Sequence, residues 1–221
     1  MMKITERHAM MFSIAMFVIA TGLFIYLPFI GIEMQLTKEQ STGIKSFMST
    51  ADIEKLCKID VDVRENKWKH IVLHHSATDE GNASKFDKHH RETRKWKHGL
   101  AYHFVIGNGK GSGEGEIEVG GRWKKQIHGA HTANMNINRV GIGICLVGNF
   151  EENNEPTYDQ FEALASLVNY LSKRYNIPQS NIVRHNQIVQ KYTACPGKNF
   201  SYEKLMERIV SLQPARTHRR L

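Results

Sequence analysis

Residues 9–32, AMMFSIAMFVIATGLFIYLPFIGI, carry no formal charge. A helix of that length extends roughly 36 Å, enough to cross a ~30 Å hydrocarbon layer with some tilt. A buried core helix would be amphipathic, whereas this run is apolar all round. A cleaved signal peptide is a closer rival, but the run is long for such a core and no small-x-small pair follows it cleanly. The segment therefore reads as an uncleaved transmembrane anchor. Lys3 and Arg7 precede it, offset by Glu6, while Glu33, Lys38 and Glu39 follow, so charge favours a cytoplasmic N-terminus only slightly. The short leading segment, 1–8, suits a signal anchor in the cytoplasmic membrane. Everything after it would then face the periplasm or cell exterior.

The remainder has the texture of a soluble domain. With 17 glycines and 24% charged residues in 221, collagen, coiled coil and wholesale disorder are excluded. Three cysteines are too few for a disulfide scaffold, and their odd number leaves Cys57 and Cys145 either free or paired. Residues 33–66 are polar and mixed, a stalk with a short helix around Thr50–Leu56. From 67 to 213 strands and helices alternate. HIVLHH (70–75), LAYHFVI (100–106), Ile117–Val119, VGIGICLV (140–147) and NIVR (181–184) read as strands. Val140–Val147 is nearly continuous in apolar residues, as a strand covered on both faces requires. Ser84–Lys97, Thr157–Tyr175 and Ser201–Leu212 read as helices. In the second, Thr157 and Gln160 form a capping-box pair ahead of one apolar stripe. GNGKGSGEGE has glycine spacings that mimic a phosphate loop, but no GK[ST] ending, and reads as a hairpin. The pattern predicts a single α/β domain with a central mixed sheet flanked by helices, followed by a basic tail, 214–221. No feature calls for assembly, and the chain reads as a monomer.

Twelve histidines, several clustered, point to metal chemistry. A catalytic zinc site needs three protein ligands and one open position. His74 or His75 ends one predicted strand, and His185 ends another. Cys195 lies in the loop TACPG, where Pro196 and Gly197 make a tight turn able to hold a sulfur in place. A lone histidine is more often a hydrogen-bonded structural residue, so the case rests on the combination.

IVLHHSAT, AYHFVI, HGAHTANMNINRVGIGICLVGNF and RHNQIVQKYTACPG occur in an order that resembles the type-2 N-acetylmuramoyl-L-alanine amidases. That family includes the phage lysozyme-type amidases and the peptidoglycan recognition proteins. The resemblance spans about 67–210. It implies one catalytic Zn2+ held by His74, His185 and Cys195, with Tyr102 and Thr193 as hydrogen-bonding catalytic groups. It further implies hydrolysis of the amide between N-acetylmuramic acid and L-alanine, with peptidoglycan, both glycan strand and stem peptide, as partner. His131 would contact that substrate by the same resemblance, and a second metal at His128 and His131 is disfavoured. Asn136 and Arg139, in the loop before the buried strand, either hydrogen-bond the stem peptide or shape the turn.

Two positions depart from parts of the family. Thr193 stands where the phage type has lysine, and a neutral hydroxyl cannot supply the lysine's charge. Cys145 stands where some intracellular members carry a glutamate, so no carboxylate base is available there. The rival reading is a peptidoglycan-binding protein without catalysis. Such relatives usually lack the cysteine, so Cys195 favours the enzyme. Net charge of +8 raises the question of nucleic acid, but no recognised motif accompanies it. Attraction to an anionic wall or membrane surface accounts for the charge.

Overall fold

The computed structural model describes residues 48–213 apart from positions 153 and 190. The predicted anchor 9–32 and the tail 214–221 lie outside the described residues. Among the described residues no helix is long and apolar enough to cross a membrane.

Five strands form one sheet: β1 (His70–His75), β2 (Phe104–Asn108), β3 (Glu114–Val119), β4 (Gly141–Leu146) and β5 (Ile182–Arg184), in spatial order β3-β2-β4-β1-β5. β1 runs parallel to β4 and β5, β2 parallel to β4, and β2–β3 is the expected antiparallel hairpin. The sheet is mixed, as predicted. Every residue of β4 is buried, consistent with a parallel strand covered on both faces.

Register assigns the two faces. Leu73 pairs with Ile144, and Ile144 with Phe104, on one row. That row, with Ile71, Ile106 and Ile142, packs beneath α5 (Tyr158–Arg174) through Leu164, Val168 and Leu171. The long helix starts where the sequence places it, with the Thr157–Gln160 capping box intact. Its buried Glu162 receives three hydrogen bonds of 2.6–3.0 Å from Arg208, tying α6 (Tyr202–Ser211) to α5. The opposite row, His74 with Cys145 and Cys145 with Val105, faces away from these helices.

Three local expectations change. The domain begins before 67, because α1 (Thr50–Leu56) sends Ile53 into the core and the following Cys57 is also fully buried there. Burying an isoleucine contributes about 1.5–3 kcal/mol, and the Trp123 indole N–H finds its acceptor in the Cys57 carbonyl at 3.2 Å. A stalk 33–66 therefore ends no later than this helix. The basic helix α2 (Ala83–Glu92) is shorter than predicted, since the chain enters the left-handed region at Lys95 and again at Gly99. The strand predicted from Leu100 begins only at Phe104, leaving Tyr102 in the preceding loop. Trp123 packs in the core stacked on Trp68.

Candidate metal centre

Strand alternation decides between the two histidines at the end of β1. His74 shares its face with Cys145. The next residue, His75, turns to the other side, where its ring packs on Phe150 and its Nδ1 accepts from the Phe150 N–H at 3.2 Å. On β5, Val183 pairs with Val72 and Arg184 with Leu73. One step further, alternation returns His185 to the His74 face, at the start of a 3₁₀ turn (His185–Gln187). The His74 and His185 ring centroids are 4.6 Å apart.

Cys195 arrives ten residues after His185, on a loop with its own anchors. Asn186 N–H donates to the Cys195 carbonyl at 3.0 Å, fastening the loop to the turn that carries His185. The backbone turns at Gly197 with φ +101°, where an added Cβ would lie 2.3 Å from the Phe150 backbone. Glycine is required there by both conformation and space. Cys195 Sγ accepts the His75 N–H at 3.4 Å and lies 3.6 Å from His74 Nδ1.

The ligand atoms of His74, His185 and Cys195 all lie within 4.8 Å of one another. Around tetrahedral zinc, bonds of about 2.0–2.3 Å place neighbouring N and S ligand atoms roughly 3.5 Å apart. The His74–Cys195 separation meets that geometry, and two imidazoles with one sulfur suit zinc. Burial holds the His74 imidazole well below the usual histidine range, with His131, His185 and His75 pushing the same way. His185 is lowered by burial as well. Burial pushes the Cys195 thiol up to about 12, against the hydrogen bond from His75. The metal-free site thus holds neutral imidazoles and a thiol. Loading with zinc must expel the thiol proton, so at pH 6 about one proton is released per zinc and Kd falls roughly tenfold per unit rise in pH. Calorimetry in buffers of different ionisation enthalpy checks this, and uptake without proton release contradicts it.

Tyr102 stands beside this group, its ring centroid 5.2 Å from that of His74. Burial first, then the Cys145 and Cys195 sulfurs, holds its phenol well above the usual tyrosine value, so the hydroxyl stays protonated. Thr193 Oγ1 accepts the Cys195 N–H at 3.3 Å, which leaves its own O–H free to donate elsewhere.

The three predicted substrate contacts separate. Asn136 is exposed on the short helix α4 (Met135–Val140), which follows the single turn α3 (Gly121–Lys124), and lines a cavity of about 530 Å³ with Met135, Ile188 and Lys191. Arg139 is exposed too, but stands outside the lining of that cavity and donates to Asn136 Oδ1 at 3.5 Å. His131 is buried, with its Nδ1 3.1 Å from His74 Nε2 and its Nε2 3.2 Å from the Gly141 carbonyl. Its place is behind His74, and both ring nitrogens are engaged within the protein. A second cavity of about 430 Å³ adjoins Tyr102 and is lined by Ser76, Lys85, His89, His90 and Arg94. His89 and His90 stand on α2. Their signal was a basic helix next to the Tyr102 loop, visible only once the fold is known.

Fold and side chains together define an α/β domain with a candidate catalytic metal centre. The family model Amidase_2, described as N-acetylmuramoyl-L-alanine amidase, matches residues 64–198, and the chain belongs to that family. Among solved structures, it is similar to the endolysin amidase LysCS from Clostridium intestinale, at 30% identity and TM-score 0.56, covering 69% of this chain and 95% of that one. Peptidoglycan recognition protein-LE, solved with tracheal cytotoxin, is 26% identical with TM-score 0.51, covering 65% and 81%. The Ph2119 endolysin of a Thermus scotoductus bacteriophage, 24% identical with TM-score 0.52 over 66% of this chain and 88% of that one, shares the fold. No curated protein sequence matches the chain.

Proposed function

We propose that this chain is a zinc-dependent hydrolase that cleaves the amide joining N-acetylmuramic acid to L-alanine in peptidoglycan. The observation that carries the reading is the convergence of His74, His185 and Cys195 within 4.8 Å, with the sulfur supplied. A protein that only holds the wall has no need of the third ligand. The similar endolysins and the recognition protein solved with a peptidoglycan fragment support peptidoglycan as the partner.

Zinc bound there supplies Lewis acidity toward an amide carbonyl and brings the pKa of water near 7. The protein's residues do the rest. Tyr102, kept protonated by burial, donates its O–H to negative charge developing on the carbonyl oxygen. Thr193, whose oxygen is already engaged by the Cys195 N–H, directs its hydrogen into the same site. Cys145 pairs with His74 in the sheet and is pushed well up by burial, so it packs as a thiol and takes no part as a base.

Digestion of purified peptidoglycan by the full-length chain, with and without chelator, tests the reading. Mass analysis should find stem peptides with a free L-alanine amine, and chelator should abolish their release. Intact glycopeptide after digestion with zinc present overturns it. Tyr102→Phe should keep stoichiometric zinc and lower turnover by roughly 10²–10³, the usual cost of one oxyanion donor. An unchanged rate removes Tyr102 from the mechanism. We also propose that residues 9–32 anchor the enzyme in the cytoplasmic membrane with its domain outside, a reading that rests on the uncharged run. Protease added to intact spheroplasts should then remove the domain, and full protection contradicts it.

A further inference from the structure

The two imidazoles His74 and His131 face each other, and a backbone carbonyl stands at the far end of the pair. Gly141 O can only accept, so His131 Nε2, 3.2 Å away, must carry the proton. A neutral imidazole holds one proton, which leaves His131 Nδ1 bare. His74 Nε2 lies 3.1 Å from that bare nitrogen and must donate to it. His74 Nδ1 is then the free lone pair, and it is this atom that faces Cys195 Sγ at 3.6 Å. The opposite tautomer of His74 would set two lone pairs against each other in a buried site.

The seat of the His131 ring is built before any metal arrives. A Cβ at Gly143, on the site face of β4, would lie 2.4 Å from His131 Cδ2, and one at Gly129 would lie 2.2 Å from the same atom. Two positions without side chains make the slot. The loop is pinned on both sides of Gly129–Ala130, with Gly129 N–H donating to Asn138 O at 2.9 Å and Ala130 N–H to Ala101 O at 3.0 Å.

We propose that His131 is a positioning residue, which by relaying the demand of the Gly141 carbonyl fixes His74 in the tautomer whose Nδ1 can bind the metal. The proposal rests on the zinc reading and names the residue that prepares its first ligand. Partners of this kind set ring orientation and ligand basicity, and their loss costs about 10–100-fold in metal affinity.

Long-range ¹H–¹⁵N spectra of the metal-free full-length chain should show His74 and His131 both protonated on Nε2. Competition with a chromophoric chelator should show zinc affinity reduced about 10–100-fold in His131→Ala. His131→Asn, whose amide oxygen reaches the place of Nδ1, should recover most of it, which a role in packing alone would not produce. His74 protonated on Nδ1, or His131→Ala with wild-type affinity, overturns the proposal. Should His131→Ala fail to fold, the wild-type tautomer decides alone. A wild-type chain that takes up no zinc sinks the hydrolase reading, whereas the tautomer measurement still judges His131.

Discussion

Cys195→Ala should lose zinc on dialysis against a weak chelator and lose more than roughly 10³-fold in peptidoglycan cleavage, at about 1.36 kcal/mol per decade of rate. The reason is arithmetic of ligands. Two imidazoles remain, and a catalytic zinc site with an open corner needs three protein donors. Cys195→Ser is the sharper comparison. It preserves the side-chain shape and the acceptor for the His75 N–H, yet offers a hydroxyl that does not ionise at neutral pH. Fold should survive in both variants, because Asn186 and Gly197 against Phe150 hold the loop in addition to the hydrogen bond that the sulfur accepts from His75. Unchanged zinc stoichiometry with unchanged cleavage in Cys195→Ser contradicts the ligand assignment. Zinc retained with cleavage lost points instead to a site whose metal geometry, not its occupancy, depends on the thiolate.

The legible part of this molecule is the part encoded locally. Thr157 and Gln160 announce α5 because a capping box needs only four residues, and VGIGICLV announces a doubly covered strand by its lack of polar positions. The ligand set was legible as a candidate because His74, His185 and Cys195 each end a strand or sit in a tight turn. The choice between His74 and His75 was not, since two adjacent histidines point to opposite faces and only the register against Cys145 and Val183 says which face holds the site. His131 hid for a related reason. Its motif suggested exposure beside substrate, while its burial depends on glycines 129 and 143, far apart in sequence and adjacent in space. The glycine alternation in Gly141–Ile142–Gly143 was a signal of close approach on one face of that strand. Nothing local marks α1 as part of the core. Ile53 and Cys57 are only two buried residues, and the partners that bury them come from the sheet and the long helix.

Acidifying the metal-free protein from pH 6 to pH 5 should lower its folding stability by at least about 1 kcal/mol. His74 and His103 are held well below the usual 6.5 by burial, and His131 is driven down to about 3 by the same cause. Unfolded, each ring titrates near 6.5. Between pH 6 and 5 the unfolded chain therefore binds protons that the folded chain refuses, and stability falls as pH falls. The His131 ring contributes about 1.2 kcal/mol across that interval, and His74, His103 and the partly buried His75, His90 and His185 act with the same sign. The lowered carboxyls of Glu80 and Asp87 lose their contribution only nearer pH 4, while Glu118, raised by burial, gives a small offset in the other direction. A domain whose total stability is about 5–15 kcal/mol feels such a change strongly. Urea denaturation at the two pH values, with chelator in both, measures it, and equal midpoints would mean that the three rings are not buried neutral. His131→Asn provides the internal check. It removes the His131 ring while keeping a hydrogen-bonding amide in the slot, so its loss between pH 6 and 5 should shrink by about 1.2 kcal/mol.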